Sequence, residues 1–217
     1  MSSDSVTRER IILVASHLFA SQGYRQVSAR SICAKAEANH GAINYYFRNK
    51  ANLYKEVLAY AYRKLMQAQP IPQVEATKTV GTEDLLVWIE WYIGRLFSSP
   101  ETAFVWRLIS RELMEPTEAF EYLSQQLMAP VFLSLEQIIA KLIEPIDVVN
   151  SGALDTKNTV RLVSLSVISQ CLIYLMGRPM IERLLPDLYG SIENQKILSQ
   201  EIFRFSLAGI VGFRKQN

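Results

Sequence analysis

Between residues 39 and 50 the chain carries a high density of side chains that donate or accept hydrogen bonds, including His40, Asn44, Tyr45, Tyr46 and Lys50. A side-chain amide can bond an adenine edge at two points, whereas ammonium and phenol groups suit phosphate oxygens. These residue types predict contact with nucleic acid. The amide of Asn44 would read a base, and Lys50 and the hydroxyl of Tyr46 would bind phosphates.

The remaining polar groups of this stretch have less specific roles. We expect His40 to bond a base or a phosphate, and Tyr45 to contact the backbone or a thymine methyl. Arg30, nine residues before the stretch, is expected to pair with a phosphate, as are backbone N–H groups near Asn39 and His40 at a helix start. For His40 and Asn44 an ordinary solvated surface is the alternative.

Charge is distributed unevenly along the 217 residues. Residues 1–69 carry 10 Lys/Arg and 4 Asp/Glu, a formal +6, and the remainder carries a formal −4, which together give +2. A small basic module on a mildly acidic body is expected when only the first part meets a polyanion.

Composition favours a folded protein of the cytoplasm. The chain is 49% apolar and 20% charged, which is typical of globular proteins. Cys33 and Cys171 stand far apart without a metal-ligand pattern, so neither a disulfide framework nor a metal site is indicated. The N-terminus lacks a signal-peptide pattern. The apolar run 160–176 is too short and too polar for a membrane span, so no membrane partner is expected.

Helical periodicity predicts four N-terminal helices. The first follows Thr7 as N-cap and stops at Gly23; the second follows the N-cap Ser28 and covers 29–36. A turn at 37–39 leads to a third helix, 40–46, capped by Asn39, and a fourth runs from about Ala51 to Gln69. Two short helices joined by a tight turn within such a cluster form a helix-turn-helix, here Thr7 to Lys50.

The rest of the chain is also predicted to be helical. After a loop at 70–82, the expected helices are 83–99, 102–114, 117–143, 156–176 and 192–214. Pro130 falls inside the third of these and is expected to kink it. No segment shows the alternation of a strand. The predicted fold is all-α, with a helix-turn-helix domain at 1–50, a connecting helix and loop at 51–82, and a helical ligand-binding and dimerisation domain at 83–217.

The run from Ala36 to Leu53, AEANHGAINYYFRNKANL, resembles the recognition-helix signature of the TetR/AcrR family. The segments before it, including Gly23-Tyr24 and residues 28–32, resemble the family as well. Glu37 departs from the glycine that the family usually has in the turn, and Ala42 from a frequent threonine. The resemblance completes the predicted DNA-binding set, which is Ser28, Arg30, Asn39, His40, Gly41, Ala42, Asn44, Tyr45, Tyr46 and Lys50.

The resemblance implies a transcriptional regulator, most simply a repressor, that binds a palindromic operator in double-stranded DNA as a homodimer and is released by a small-molecule effector. Residues 104–120 resemble the subgroup that includes the CecR-type regulators. Aromatic and charged residues on three successive predicted helices, 83–99, 102–114 and 117–143, form the predicted ligand-binding set, which is Trp88, Trp91, Tyr92, Trp106, Arg107, Arg111 and Tyr122. Plain core packing and ion pairing are the alternatives for this set.

The last two long helices are expected to form the dimer interface. The helix 156–176 is apolar nearly all round, with Val160, Val163 and Val167 on one face and Leu162 and Leu165 on another. The helix 192–214 combines large apolar residues such as Phe205 with small ones such as Gly209 and Gly212, which would allow close approach of a partner helix. An internal helix is the alternative.

Two other classes of protein are the alternatives. An enzyme is disfavoured because the chain has no glycine-rich phosphate loop or nucleophile elbow, and its two histidines, His17 and His40, both lie in the predicted DNA-binding module. No cofactor is predicted. The second alternative is a DNA-binding scaffold of the same fold that acts through a protein partner and needs no small molecule.

Overall fold

The computed structural model describes residues 3–72, 81–97, 103–143, 156–188 and 191–214, and within them the chain is helical without strands. The helices are α1 Ser3–Gln22, α2 Ala29–Lys35, α3 Ala42–Phe47, α4 Lys50–Ala68, α5 Thr82–Leu96, α6 Ala103–Met114, α7 Phe120–Leu123, α8 Ala129–Ile143, α9 Thr156–Met176, α10 Arg178–Leu184 and α11 Ile192–Arg214. A π-helical turn, Ser124–Met128, joins α7 to α8, and a 3-10 turn, Pro186–Leu188, follows α10. The predicted all-α class is confirmed.

Contacts divide the chain into two compact units. The first contains α1–α4 with α6, α7 and the π-helical turn; the second contains α5 and α8–α11. The sequence prediction separated residues 1–50, 51–82 and 83–217, whereas these contacts group residues 103–128 with the N-terminal helices.

Local signals explain several helix boundaries. The Ser28 Oγ accepts a hydrogen bond from the backbone N–H of Ser31 at 3.0 Å, so Ser28 is the N-cap of α2 as predicted. The Asn49 side chain caps α4 in the same way through the N–H of Asn52, at 2.8 Å. Gly23 ends the first segment with φ +85°, a left-handed conformation that favours glycine.

Other predicted boundaries are wrong. Thr7 lies inside α1, which begins at Ser3. The third helix begins at Ala42 and not at His40, because the Asn39 carbonyl and its side-chain oxygen accept the N–H groups of Ala42 and Gly41 in a turn. Of the single helix predicted for 117–143, residues 117–119 are turn and a π-helical turn interrupts the rest immediately before Pro130. Helix α10 was not predicted.

A buried carboxylate organises the first unit. Glu112 of α6 is 1% exposed, and its oxygens accept hydrogen bonds from the Tyr54 hydroxyl at 2.9 Å and from the N–H and hydroxyl of Thr117 at 3.1 and 3.0 Å. Burial, and then the Glu112 charge, raises the pKa of Tyr54, so its phenol stays a proton donor. The carboxylate therefore joins α6, α4 and the turn before α7.

The neighbouring Arg111 ties α6 to the end of α1. Its Nε and Nη2 donate to the carbonyls of Ala20 and Ser21 at 3.2 and 2.9 Å. Cations stabilise a helix C-terminus because the last carbonyls have no partner within the helix. A Cβ at Gly23 would lie 2.9 Å from Nη1 of Arg111, so a side chain there would displace the Arg111 guanidinium in addition to straining the positive φ.

The core of the second unit forms around α5. Trp88 is fully buried, stacks on Tyr92 with 5.0 Å between ring centroids, and donates its indole N–H to Ser134 Oγ of α8 at 2.9 Å. Helix α9 buries Val160, Val167 and Cys171 within this unit, and burial raises the pKa of the Cys171 thiol to about 12.

Two helical stretches, Phe120–Ile143 and Lys157–Met176, are long and apolar enough to cross a membrane. One third of the most apolar window of each is buried.

We expect Glu112→Ala to lower the free energy of unfolding by about 3 kcal/mol, because it leaves the buried Tyr54 hydroxyl and the Thr117 N–H without an acceptor. Chemical denaturation followed by circular dichroism measures this loss. Glu115→Ala is the matched control. Glu115 is exposed and lies three residues after Glu112, so its removal should change the free energy of unfolding little. Equal effects of the two substitutions would contradict the organising role of Glu112.

Candidate nucleic-acid interface

The turn between α2 and α3 contains Glu37, the residue at which the sequence departs from the expected glycine. Glu37 adopts φ +49°, a left-handed conformation that costs a residue with a Cβ about 1 kcal/mol. The Arg10 guanidinium donates to the Glu37 carbonyl at 3.2 Å, and the Ala38 N–H donates to the Cys33 carbonyl at 3.0 Å. These bonds hold the turn in the conformation that glycine would adopt freely.

Helix α3 presents polar residues on one side and packs its other side inward. Asn44 is exposed, as are His40 and Gly41 before the helix, and Tyr45 is 73% exposed. Ile43 and Phe47 are buried. Ala42 is a member of the predicted DNA-binding set, but it is only 8% exposed, because the first turn of this short helix packs against the module. Its methyl group therefore faces inward.

The Tyr46 hydroxyl donates to the Asp4 carboxylate of α1 at 2.8 Å. This hydrogen bond is the main reason that the pKa of Tyr46 is raised, with smaller contributions from desolvation and the Asp4 charge. Tyr46 also meets the Tyr45 ring edge to face, at 4.8 Å between centroids. A phosphate would have to take the place of the Asp4 carboxylate to receive the Tyr46 proton. The sequence prediction missed Asp4, which only tertiary packing brings to this point.

Lys50 anchors the loop between α1 and α2. Its Nζ donates to the carbonyls of Tyr24 and Val27, each at 3.0 Å, and lies 4.2 Å from the centroid of the Tyr24 ring. Desolvation lowers the pKa of Lys50. An ammonium group has three donors, so these contacts leave one for a phosphate. Lys50 therefore has a structural role in this loop, and its contact with a phosphate stays a prediction.

The other predicted DNA-binding residues are on or near α2. Ser28 and Arg30 are both exposed, and the Ser28 hydroxyl oxygen already accepts the helix-capping bond. Arg30 forms no ion pair within the described residues. Its guanidinium is therefore available to an anion in solution.

The predicted ligand-binding residues fall into two groups. Trp88, Trp91 and Tyr92 gather in the second unit, where the Trp91 ring lies 5.7 Å from Trp88. Arg95 joins them: it is 2% exposed, and its guanidinium carbon lies 4.4 Å from the Trp91 centroid. The sequence prediction missed Arg95, although it stands one turn after Trp91 and Tyr92 on the same helix.

The second group belongs to the first unit. Trp106 is 7% exposed and Arg107 is exposed, while Arg111 binds the end of α1. Tyr122 lines a cleft beside α3 and α4. Arg111 therefore has a structural partner of its own, and Tyr122 lies near the predicted DNA-binding residues.

Comparison with known families assigns both parts of the chain. Residues 11–57 match the bacterial regulatory proteins of the tetR family, and residues 82–210 match the C-terminal domain of the HTH-type transcriptional dual regulator CecR. The CecR regulator of Shigella flexneri is 26% identical over 146 residues, which cover 61% of this chain and 63% of that protein. The match thus spans less than two thirds of that relative.

Solved structures resemble the fold over nearly the whole chain. A putative fatty acid metabolism regulator from Clostridium perfringens superposes with a TM-score of 0.63 at 17% identity, covering 92% of this chain and 97% of that one. FadR from Bacillus subtilis, solved in complex with stearoyl-CoA, gives a TM-score of 0.60 at 18% identity, with 93% and 98% covered. At these identities the likeness shows the fold alone.

Glu37→Gly should unfold at a higher denaturant concentration than Glu37→Ala, with a difference of about 1 kcal/mol, because glycine relieves the positive φ whereas alanine keeps it. The comparison removes the side chain in both variants, so the difference isolates the backbone. Identical midpoints would show that Glu37 is not strained in solution.

Proposed function

Because the chain belongs to the TetR family of bacterial regulators, with a C-terminal domain of the CecR type, we propose that it is a transcriptional repressor that binds a palindromic operator as a homodimer and is released by a small molecule. The family and its homologues are transcriptional regulators and not enzymes. The proposed compartment is the cytoplasm, where the two buried free cysteines would stay reduced.

The observation that carries the proposal is the exposed face around α3. Asn44 and Tyr45 are exposed on a short helix that follows a tight turn, and His40 is exposed in that turn. This arrangement is expected of a recognition helix that enters the major groove with its N-terminal part. Arg30 adds an exposed cation without a partner in the described part of the chain. The combination supports base reading by the helix and phosphate binding beside it.

The two kinds of contact predict different mutant behaviour. Asn44→Ala should cost about 1 to 3 kcal/mol on the operator and relax preference at one base pair of each half-site, because the amide bonds a base edge. Arg30→Ala should weaken binding to all sequences alike and reduce the salt slope by about one unit. Operator fragments isolated from genomic DNA with purified protein, and scrambled duplexes, are titrated at several salt concentrations.

Non-specific binding supplies the control for Asn44→Ala, since scrambled DNA should bind that variant almost as well as the unchanged protein. If Asn44→Ala loses operator and scrambled DNA equally, Asn44 does not read bases. If Arg30→Ala leaves the salt slope unchanged, Arg30 does not contact phosphate.

The proposed dimer rests on apolar surface along α9 and α11. Leu162 and Leu165 are 50% and 53% exposed, and Phe205 is 73% exposed. A Cβ placed on Gly209 would meet nothing within 4 Å, and the same holds for Gly212, so the packing of this chain does not require either glycine. Small residues on an exposed helix face support close approach of a second helix.

Phe205→Asp should convert the dimer to monomers, because it would bury a carboxylate without a partner in the interface. Sedimentation velocity at micromolar concentration measures the change, and Val87→Asp, which replaces a 52% exposed apolar residue of α5, is the control. Val167 of α9, which the sequence analysis placed on one face of that helix, is only 1% exposed. A charge at Val167 would therefore test folding and not dimerisation. A monomeric parent protein would exclude the proposed interface.

The effector is proposed to be an amphiphile with an apolar chain and an anionic group. Buried Trp88 and Tyr92 and half-buried Trp91 cluster with the Arg95 guanidinium, which places apolar surface beside a positive charge. The stearoyl-CoA in the Bacillus subtilis FadR complex has this chemistry. Trp106, Arg107, Arg111 and Tyr122 remain candidates for transmitting or extending ligand contact.

The alternative is a scaffold of the same fold that acts through a protein partner. Titration of the operator complex with stearoyl-CoA, and with stearate as a shorter anionic probe, separates the two functions. Release of the operator at micromolar ligand supports the effector-controlled repressor. Unchanged affinity, together with stable capture of a protein by the DNA-bound dimer, supports the scaffold.

A further inference from the structure

A cleft of about 430 Å³ opens beside the last turn of α3 and the first half of α4. Its lining includes Tyr46, Arg48, Asn52 and Lys55, together with Tyr122 of α7. Asn52 and Lys55 are three residues apart on α4 and therefore share a face of the helix. None of these lining residues except Tyr46 and Tyr122 entered the predicted site.

Charge in the cleft is positive. Arg8 also lines it, but its guanidinium is fixed by the Glu56 carboxylate at 2.8 Å and by the Phe47 ring, whose centroid is 5.2 Å away. Arg48 and Lys55 form no salt bridge with any carboxylate of the described residues. Because Arg8 and Glu56 form an ion pair, their charges cancel, and the net charge of the cleft comes from Arg48 and Lys55.

Arg48 and Lys55 lie close in sequence to the C-terminal end of α3, the helix proposed to read DNA. Arg48 is the C-cap of α3, with φ +68° and its N–H bonded to the Asn44 carbonyl. Lys55 lies five residues after Lys50, or about 7.5 Å along α4 at 1.5 Å per residue. The acidic residue in the lining is Glu56, which pairs with Arg8, and the Asp4 carboxylate accepts the Tyr46 hydroxyl, so Arg48 and Lys55 are the cations left to bind an anion.

We propose that this cleft is a second phosphate-binding track, in which Arg48 and Lys55 hold DNA backbone phosphates outside the stretch that the exposed residues of α3 contact. The inference rests on the proposed DNA-binding function and extends its footprint. Two cations that line one cleft neutralise backbone charges and release their counterions, so the track contributes affinity without sequence information. Asn52 and the Tyr122 hydroxyl supply neutral hydrogen bonds to the same strand.

The test compares Lys55→Gln with Lys196→Gln, which removes the same charge from an exposed position on α11. Glutamine keeps most of the lysine stem, so packing around half-buried Lys55 is preserved. We expect Lys55→Gln to weaken operator and scrambled DNA alike, several-fold at low salt, and to reduce the salt slope by about one unit. Lys196→Gln should leave the slope unchanged.

A phosphate scan locates the contact. Single phosphates of the recovered operator are replaced by neutral methylphosphonates, and each duplex is titrated with the parent protein and with Lys55→Gln. We expect at least one position at which neutralisation weakens the parent but not the variant, because the two changes remove the same interaction. The same scan with Arg30→Ala should identify a different phosphate.

Several outcomes would overturn the proposal. Equal slopes for Lys55→Gln and Lys196→Gln, or no phosphate coupled to Lys55, would remove the track. Tight binding of pyrophosphate by the DNA-free protein, lost in Lys55→Gln while DNA affinity stays constant, would assign the cleft to a free anion. Failure of the parent protein to bind any duplex would reject the DNA-binding function itself, whereas a normal Arg30→Ala effect beside a silent Lys55→Gln would reject the track alone.

Discussion

A carboxylate removed from water must be surrounded by donors, and this requirement at Glu112 shapes the first unit. Leaving it unsatisfied would cost more than most single contacts can return. The Tyr54 hydroxyl and the two donors of Thr117 meet the requirement. As a result α6, which falls within the residues matched to the CecR C-terminal domain, is packed against helices that match the TetR DNA-binding family.

The contacts continue from Glu112 to the start of α4. The Tyr54 ring lies 4.9 Å from Tyr24, and the Tyr24 ring and carbonyl both contact the Lys50 ammonium group. Each step is a direct contact between buried or half-buried groups. Displacement of α6 would therefore change the surroundings of the lysine that holds the loop before α2, which gives the proposed effector response a physical route.

Features encoded by neighbouring residues were predictable from the sequence. The limits of α9 and α11 agree with the predicted 156–176 and 192–214, and Ser28 is the N-cap of α2. Features set by distant residues were not. Asn39 can cap a helix or a turn with the same oxygen, and the engagement of Tyr46 by Asp4 and of Arg111 by the end of α1 depends on pairs separated by 42 and about 90 residues.

The Arg111 contact with the end of α1 also bears on how hybrid regulators can be built. A chimera joined just after residue 50 or near residue 82 would take its DNA-binding helices from one parent and α6 from another. Such a hybrid would lose the cation that covers the carbonyls of Ala20 and Ser21, and Gly23 would face a foreign side chain. The unit that can be exchanged is discontinuous in sequence. A transplanted DNA-binding unit must therefore include residues 103–128 as well as the N-terminal helices.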